Sequence, residues 1–439
     1  MIEEYDIGIV GAGPGGISAA VEASSLGAKV LVVEKDEVGG VCLNKGCIPT
    51  KAFLKSALLY DELKRSAVRG INYKDLSYDL PRIKNHTREI VNRIRGQIES
   101  TFKLRKISYL KGRATFLDNQ HILVDDKEMK AHSFIIACGS SPRPLSSFTV
   151  DNKRIFYSDG IFDIERMPKD IAIIGAGPIG SEFASFFSVF GVEVTLIEML
   201  ERILPKEDVD ISKRLEGIFK KRNIKILTSC STLDVSTINS EVILISIGRV
   251  ANINDLGLEK IGVTIKVGAI FVDEYLQTNL PGIFAVGDCI GKYNLAHVAS
   301  AEGRVAARNA LGGKFKIDYT IVPQCVYSFP EVASVGLNEN EAIRNGYDVR
   351  VGRTHFAALG RAQAYAETEG FIKLVVDKKS EAILGAQILG YYASELIGTI
   401  SVAIKGKLKV KDLADVVQAH PTFSEGIQEA ALGLLRQAI

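Results

Sequence analysis

The 439-residue chain contains no tryptophan, four methionines and six cysteines. Six cysteines over this length do not make a disulfide scaffold. In a reducing cytosol, a disulfide that does form is catalytic more often than structural. No apolar run approaches the ~18 residues that span a bilayer, which excludes membrane insertion by a helix. Charge of one sign is also missing. Lys+Arg at 54 against Asp+Glu at 52 leaves a formal net charge of +2, with neither a basic footprint for nucleic acid nor an acidic tail. A basic leader is lacking as well: Met1-Ile2-Glu3-Glu4-Tyr5-Asp6 is acidic and enters an apolar strand directly, so a cytoplasmic chain is expected. Hydrophobic residues at 46% and charged residues at 24% are globular averages and exclude a disordered or collagen-like chain. The length predicts about three domains. Glycine alone is in excess, 40 residues or about 9% against a usual ~7%.

Two segments repeat each other. Tyr5–Val10 reads as an apolar strand, followed by Gly11-Ala12-Gly13-Pro14-Gly15-Gly16, a helix over Ile17–Leu26, and a strand over Lys29–Val33 ending at Glu34. Asp170–Ile174 is followed by Gly175-Ala176-Gly177-Pro178-Ile179-Gly180, a helix over Ser181–Phe190, and a strand over Val192–Ile197 ending at Glu198. Twenty-three positions separate the first glycine from the glutamate in both. Strand, glycine turn, helix and second strand make the βαβ pattern. Helices are also expected over Phe53–Leu63, Ile83–Leu104, Ala296–Leu311, Ala393–Ile404 and Val410–Val417. Short strands are expected over Gly112–Phe116, Ile122–Val124, Phe134–Ala137, Ile283–Val286, Phe371–Val376 and Ala382–Leu389. The pattern changes from Val322 onward, and the polar turn Gly312-Gly313-Lys314 marks a boundary before a C-terminal α+β unit.

In a G-x-G-x-x-G turn the first glycine permits the tight turn and the second lets backbone approach a pyrophosphate. The third lets helix and strand pack closely, and the helix N-terminus presents free N–H groups to the phosphates. Gly11, Gly13 and Gly16 with Glu34 form one such set; Gly175, Gly177 and Gly180 with Glu198 form the other. A lone match is weak, but each of these lies between a strand and a helix with its glutamate at the right distance. Glu198 would repel a 2′-phosphate, and Met199-Leu200-Glu201 offers no arginine in its place, Arg202 being the nearest. The second site therefore reads as an NAD site rather than an NADP site.

Cys42 and Cys47 stand in Gly39-Gly40-Val41-Cys42-Leu43-Asn44-Lys45-Gly46-Cys47-Ile48-Pro49-Thr50-Lys51. Five positions of regular helix rise ~7.5 Å, whereas bridged Cα atoms lie ~4.4–6.8 Å apart. A bridge needs an irregular turn, which Gly46 and Pro49 favour. Spacing alone leaves a working pair and two buried free thiols equally open; the neighbouring dinucleotide sites favour the pair. Cys138, Cys230, Cys289 and Cys325 have no spaced partner and read as small buried residues.

The run Gly39–Lys51 resembles the redox-disulfide signature of the class I pyridine nucleotide–disulfide oxidoreductases, most of all their dihydrolipoamide dehydrogenase branch. The resemblance covers nearly the whole chain in order: first fingerprint, cysteine pair, second fingerprint, Gly287-Asp288 and His420-Pro421-Thr422-Phe423-Ser424-Glu425. It implies an α/β fold with two Rossmann-like dinucleotide-binding domains, for FAD and NAD, and a C-terminal α+β dimerisation domain. The expected boundaries are 1–145 and 261–315 for the two parts of the FAD domain, 146–260 for the NAD domain and 316–439 for the dimerisation domain.

By the same resemblance Gly11, Gly13, Gly15, Gly16, Glu34 and Gly40 serve FAD, joined by Ala114, Gly139 and Ser140. Asp288 is expected at the ribityl side, with Leu295, Ala296 and His297 against the ring. Lys51 is expected beside the flavin with Glu182 as its ion-pair partner, although without the family both read as solvated helix charges. Gly248 and Arg249 join the NAD residues, and no metal ligands are assigned. Cys42, Cys47, His420 and Glu425 are the implied catalytic set, with His420 and Glu425 working in the partner subunit of a homodimer. The implied reaction oxidises dihydrolipoyl groups, carried by separate proteins of a 2-oxo acid dehydrogenase or related complex, and reduces NAD⁺.

Some positions depart from the family pattern. The chain is short between Ser229 and Val242 and trimmed over Asp118–Phe134, Arg249-Val250-Ala251-Asn252 lacks the usual proline, and Cys138 stands where threonine is common. A glutathione-type disulfide reductase would want basic residues in place of Glu198. Mercuric reductases and large thioredoxin reductases carry C-terminal cysteines, and the last cysteine here is Cys325. A non-catalytic flavoprotein scaffold would not need Cys42, Cys47, His420 and Glu425 together.

Overall fold

The computed structural model describes residues 3–230 and 237–436. The chain begins with β1 (Glu4–Val10), α1 (Pro14–Ser25), β2 (Val30–Glu34), α2 (Gly40–Lys45), α3 (Cys47–Lys64) and α4 (Leu80–Leu104). β3 (Ser108–Lys111), β4 (Ala114–Phe116), β5 (His121–Val124), β6 (Lys127–Ile136) and β7 (Ser140–Pro142) follow. β1 is a central strand, paired in parallel with β2 and β6, and its residues Ile7–Val10 are buried on both faces, which is why that stretch reads as an unbroken apolar run.

A second unit holds β8 (Ile155–Tyr157), β9 (Asp170–Ile174), α5 (Pro178–Val189), β10 (Glu193–Ile197), α6 (Val209–Lys221), β11 (Lys225–Leu227), β12 (Val242–Ile245) and β13 (Arg249–Ala251). Its sheet runs β11-β10-β9-β12-β8, all parallel. The chain then makes β14 (Ile265–Lys266), β15 (Ala269–Ile270), β16 (Ile283–Ala285) and α7 (Ala296–Ala310). β16 returns to the first sheet, pairing in parallel with β6, and completes the order β3-β2-β1-β6-β5-β4 with β16 beside β6. The ribbon β7–β13 links the two units.

The C-terminal unit contains β17 (Gln324–Val326), β18 (Glu331–Gly336), α8 (Glu339–Arg344), β19 (Val349–His355), α9 (Gly360–Tyr365), β20 (Phe371–Asp377), β21 (Ile383–Gly390), α10 (Ala393–Lys405), α11 (Val410–Asp415) and α12 (Glu425–Arg436). Its sheet is antiparallel, β17-β18-β21-β20-β19. Fully buried Lys373 on β20 ties this unit to the second one through Asp208 at 3.0 Å and Asp210 at 2.9 Å, with Glu339 at 2.8 Å. An ammonium taken out of water needs such a set of carboxylates, because removing them would leave a buried uncompensated charge.

The differences from the expected elements have local causes. The helix expected over Phe53–Leu63 starts earlier, at Cys47, because Pro49 falls in its first turn, where a missing N–H costs nothing. The strand expected at Phe134 begins at Lys127, since its first half pairs antiparallel with β5 and is largely exposed or half-buried, without the apolar run of its second half. The helix expected to Val417 stops at Asp415, with Val416 in extended backbone. The shortened stretch 229–242 includes 231–236, which lie outside the described residues. No helix among the described residues is long and apolar enough to cross a membrane.

Candidate active site

The two glycine turns have the same local geometry. Gly11 has φ +109° and Gly175 φ +100°, and a Cβ there would lie 2.3 Å from the Ala137 carbonyl oxygen or 2.5 Å from that of Ser246. The third glycines, Gly16 and Gly180, bring α1 and α5 so close that a Cβ would lie 1.9 Å from the carbonyl oxygen of Gly11 or Gly175. Between them Gly13 and Gly177 are the N-caps, with open space where a Cβ would stand on either, and no side chain caps either helix. Free N–H groups at an uncrowded helix start fit a pyrophosphate.

The buried acids close each turn. Glu34 accepts the Ala12 N–H at 2.7 Å and the Asp36 N–H at 2.9 Å; Glu198 accepts those of Ala176 at 2.8 Å and Leu200 at 3.0 Å. Each carboxylate oxygen keeps a lone pair for a ribose hydroxyl. Arg202, the nearest cation to Glu198 in the following sequence, is turned away, its guanidinium donating to the carbonyls of Pro205 at 2.7 Å and Glu207 at 3.2 Å. Gly40 packs on the first turn, where a Cβ would lie 2.8 Å from the Gly13 Cα.

Gly46 separates α2 from α3, and this break is the irregular turn that a Cys42–Cys47 pair requires. Both cysteines are free thiols, and their side chains are hydrogen-bonded to each other. That bond raises the Cys42 thiol, with burial adding to it, and lowers Cys47, with the Lys51 ammonium one helical turn away assisting. The proton therefore stays on Cys42 and the thiolate forms on Cys47.

Lys51 and Glu182 are brought together. The Lys51 Nζ donates to both Glu182 oxygens at 3.0 and 2.9 Å, and Glu182 is buried. Tyr327, at the end of β17, completes this group: its N–H donates to Glu182 Oε1 at 3.0 Å and its ring lies 4.2 Å from Lys51 Nζ. Sequence reasoning missed Tyr327, which comes from the C-terminal unit and carries no spacing signal.

A second polar group lies at the strand ends of the first sheet. The Ser140 hydroxyl donates to Asp288 Oδ2, and burial raises the Asp288 carboxyl above its ordinary range. Arg249 donates to the Ser140 hydroxyl at 2.7 Å, the Ser140 carbonyl at 2.8 Å and Asp159 at 3.1 Å. Arg249, carried by the β7–β13 ribbon, thus bridges Ser140 of the first unit and Asp159 of the second. Gly248, just before it, has φ +109° and accepts the Arg143 N–H at 2.9 Å.

Ala114 is buried in the first unit's core beside β5, and Gly139 has open space above its Cα. Leu295 is the N-cap of α7, Ala296 its first residue, and the exposed His297 holds the Pro323 carbonyl through Nε2 at 2.9 Å. A further missed residue is Glu302 on α7. It is fully buried and accepts the Gly287 N–H at 2.6 Å and the Tyr319 hydroxyl at 2.7 Å, fixing the turn before Asp288. A lone glutamate among the small residues Ala299, Gly303 and Ala306 was the available signal. A buried carboxyl and open glycine backbone at this strand end fit the sugar-alcohol portion of a flavin nucleotide.

His420 and Glu425 form a dyad, Nδ1 to Oε1 at 2.8 Å, with the His420 side chain 77% exposed. The Thr422 N–H at 2.7 Å and then His420 hold the Glu425 carboxylate below its ordinary range. The His420–Pro421 bond is cis, and Phe423 anchors the loop among Phe356, Tyr365, Tyr391 and Tyr392. The dyad presents its free ring nitrogen outward.

Residues 5–303 match the pyridine nucleotide-disulphide oxidoreductase family, and residues 322–431 match the dimerisation domain of that family. A dihydrolipoyl dehydrogenase of Bacillus subtilis is 38% identical over 100% of both chains. One of Chlamydia muridarum is 38% identical over 98% of this chain and 97% of its own. Among solved structures, LpdA from Mycobacterium tuberculosis superposes with a TM-score of 0.92 at 28% identity, over 100% of both chains. The HOCl-induced flavoprotein disulfide reductase RclA from Escherichia coli gives 0.88 at 26%, over 98% of this chain and 99% of that one. The glycine turns, the paired thiols and the full-length matches agree: this chain belongs to the pyridine nucleotide-disulphide oxidoreductase family.

Proposed function

We propose that the protein is an FAD-dependent dihydrolipoyl dehydrogenase, a cytoplasmic homodimer that oxidises dihydrolipoyl groups on separate lipoyl-bearing proteins and reduces NAD⁺. The observation that carries this reading is the Cys42–Cys47 pair at the Gly46 break, one turn from the Lys51–Glu182 ion pair. Gly11, Gly13, Gly16, Glu34, Ser140 and Asp288 would hold FAD, and Gly175, Gly177, Gly180 and Glu198 would hold NAD⁺. When bound, FAD supplies the two-electron carrier between the dithiol and NAD⁺.

The chain's own residues divide the proton and thiol work. Glu425 fixes the His420 ring through Nδ1, so Nε2 is the base and takes the proton of a dihydrolipoyl thiol. His420 faces away from its own core, which suits service at the Cys42 of a partner subunit. The substrate thiolate attacks the Cys42 sulfur of the oxidised pair and Cys47 leaves as a thiolate, the species that the neighbouring Lys51 ammonium favours. The second substrate thiol then attacks the mixed disulfide, releasing cyclic lipoyl disulfide and the Cys42 thiol.

Glu198, with Arg202 tied to its own loop, disfavours a 2′-phosphate and supports NAD⁺ over NADP⁺. The test compares NAD⁺ and NADP⁺ reduction by dihydrolipoamide, with NADH-driven glutathione reduction as the control. Fast NAD⁺ reduction is expected. Failure with dihydrolipoamide in a protein with bound flavin and a reducible disulfide would overturn the assignment.

A further inference from the structure

Cys138 and Cys289 lie 151 positions apart in sequence and were expected to be isolated. The first sheet brings them together. β6 and β16 are parallel neighbours with Ile136 opposite Ala285, and the Val286 N–H continues the ladder to the Ile136 carbonyl at 2.9 Å. Cys138 lies two residues beyond Ile136 on one strand end; Cys289 lies four beyond Ala285 on the other. The Cys289 sulfur is directed at the same strand end, 3.5 Å from the Ile136 carbonyl oxygen and 3.1 Å from that of Val286. Cys289 is fully buried in the apolar cluster that holds Phe134, Ile136 and Ala285, and half-buried Cys138 packs on that cluster.

We propose that Cys138 and Cys289 are a second dithiol, which peroxide converts to a disulfide that staples the two strand ends flanking the Ser140–Asp288 contact. The two thiols are hydrogen-bonded to each other, and that bond together with burial raises the Cys289 thiol well above its ordinary range. Cys289 is therefore the protonated, resolving partner, and half-buried Cys138 is the one a small oxidant reaches.

The chemistry balances on peroxide. The Cys138 sulfur attacks one peroxide oxygen, giving a sulfenic acid and one water. The Cys289 sulfur then displaces the hydroxyl, which leaves with the Cys289 proton as a second water. Two thiols lose two electrons and two hydrogens, and one peroxide is reduced. No atom is added to the core. Overoxidation of Cys138 alone would instead place a charged sulfinate near Asp288, whose carboxyl is already poorly solvated.

The staple joins the residue two before Ser140 to the residue after Asp288, so the turn carrying that contact can no longer open. Its consequence for flavin rests on the FAD reading above; the disulfide itself does not. The test titrates the holoenzyme with hydrogen peroxide, alkylates it, digests it without reduction and maps the peptides. A Cys138–Cys289 linked peptide that vanishes on reduction is expected in the wild type and absent from Cys289→Ala and Cys138→Thr. Flavin loss in mild chaotrope should slow severalfold on oxidation of the wild type and not of Cys289→Ala. A wild type in which Cys138 is overoxidised while Cys289 is still alkylated after unfolding would overturn the proposal, and so would a linked peptide with an unchanged rate of flavin loss. A preparation with no flavin spectrum that still forms the linked peptide would count against the FAD reading alone.

Discussion

The first and second units are the same frame built twice. Gly11 corresponds to Gly175, Ala12 to Ala176, Gly16 to Gly180 and Glu34 to Glu198, down to the carboxylate hydrogen bonds at 2.7 and 2.8 Å. Even the loop after each acid returns alike, with the Gly39 N–H on the Ala12 carbonyl and the Leu204 N–H on that of Ala176, both at 2.8 Å. The units differ in what packs on the helix. In the first, Gly15 faces α7, and a Cβ on Gly303 would lie 2.2 Å from the Gly15 carbonyl oxygen, so two helices touch backbone to backbone. In the second, Ile179 stands at that position and α5 buries Phe183, Phe186 and Phe187 in an aromatic cluster with Phe53. After the acid, the first unit continues into α2 and α3 with their thiols, and the second into the loop that ties down Arg202. The dinucleotide frame is generic, and the chemistry comes from the elements added to one copy.

Breaking that asymmetry should have graded effects. The largest is expected from Cys47→Ser, which should abolish dihydrolipoamide turnover while flavin absorbance and NADH binding persist. Persistent turnover would remove the chemical distinction between the units.

Next come Gly16→Val and Gly180→Val, since each Cβ would overlap a backbone carbonyl. Gly16→Val should yield protein without flavin. Gly180→Val should keep flavin and lose pyridine nucleotide binding by titration. If both lost flavin, the two sites would not be separate.

Gly15→Ile copies the second unit's residue into the first. The Ala299 carbonyl oxygen, 3.2 Å from a Cβ there, must give way. Overpacking of this kind costs about 1–3 kcal/mol, to be read as a lower Tm and faster flavin loss. The reverse change, Ile179→Gly, removes a half-buried side chain from a helix start and should leave flavin in place.

A finer measurement follows Cys47 alkylation against pH in the reduced enzyme. The thiolate reacts, so the rate should rise with pH through a half-point near 7 in the wild type. Cys42→Ala removes the hydrogen bond that favours that thiolate and should move the half-point upward. An unchanged half-point would assign the shift to Lys51 instead.

The smallest effect is expected at the second acid. Glu198→Gln removes one charge repelling a 2′-phosphate, about 1 kcal/mol for a solvated pair at 4 Å, or about fivefold in favour of NADP⁺. The matching change Glu34→Gln should leave the NAD⁺ to NADP⁺ ratio where it was.

What the sequence revealed followed the range of the interactions involved. Both βαβ turns were readable because glycine, helix and acid lie within a couple of dozen residues and each has a local physical reason. The Gly46 break was expected only on the condition that Cys42 and Cys47 pair, since a regular helix holds them too far apart. From the residues alone Lys51 and Glu182 read as solvated charges; only the resemblance paired them, because their contact depends on α3 packing against α5. Tyr327 gave no usable pattern because it reaches in from another unit, and Glu302 had only the faint signal of a lone glutamate in a helix of small residues. The Cys138–Cys289 neighbourhood depends on strand pairing across an entire inserted unit. The resemblance placed Arg249 among the NAD residues, and nothing in the sequence pointed to the contacts with Ser140 and Asp159 that the β7–β13 ribbon gives it.

The fifth parallel strand enters the two sheets from opposite directions along the chain. β8 precedes the rest of its sheet, whereas β16, with Asp288 just beyond it, follows the whole inserted unit. A chain emerging from the ribosome therefore has every strand of the second sheet in hand before the first sheet can close. A nascent chain halted before residue 283 would carry a finished nucleotide fold beside an open β6 edge lacking the carboxyl that Ser140 holds. Maturation of the first site is thereby a late event of synthesis, although its fingerprint is the first to be translated.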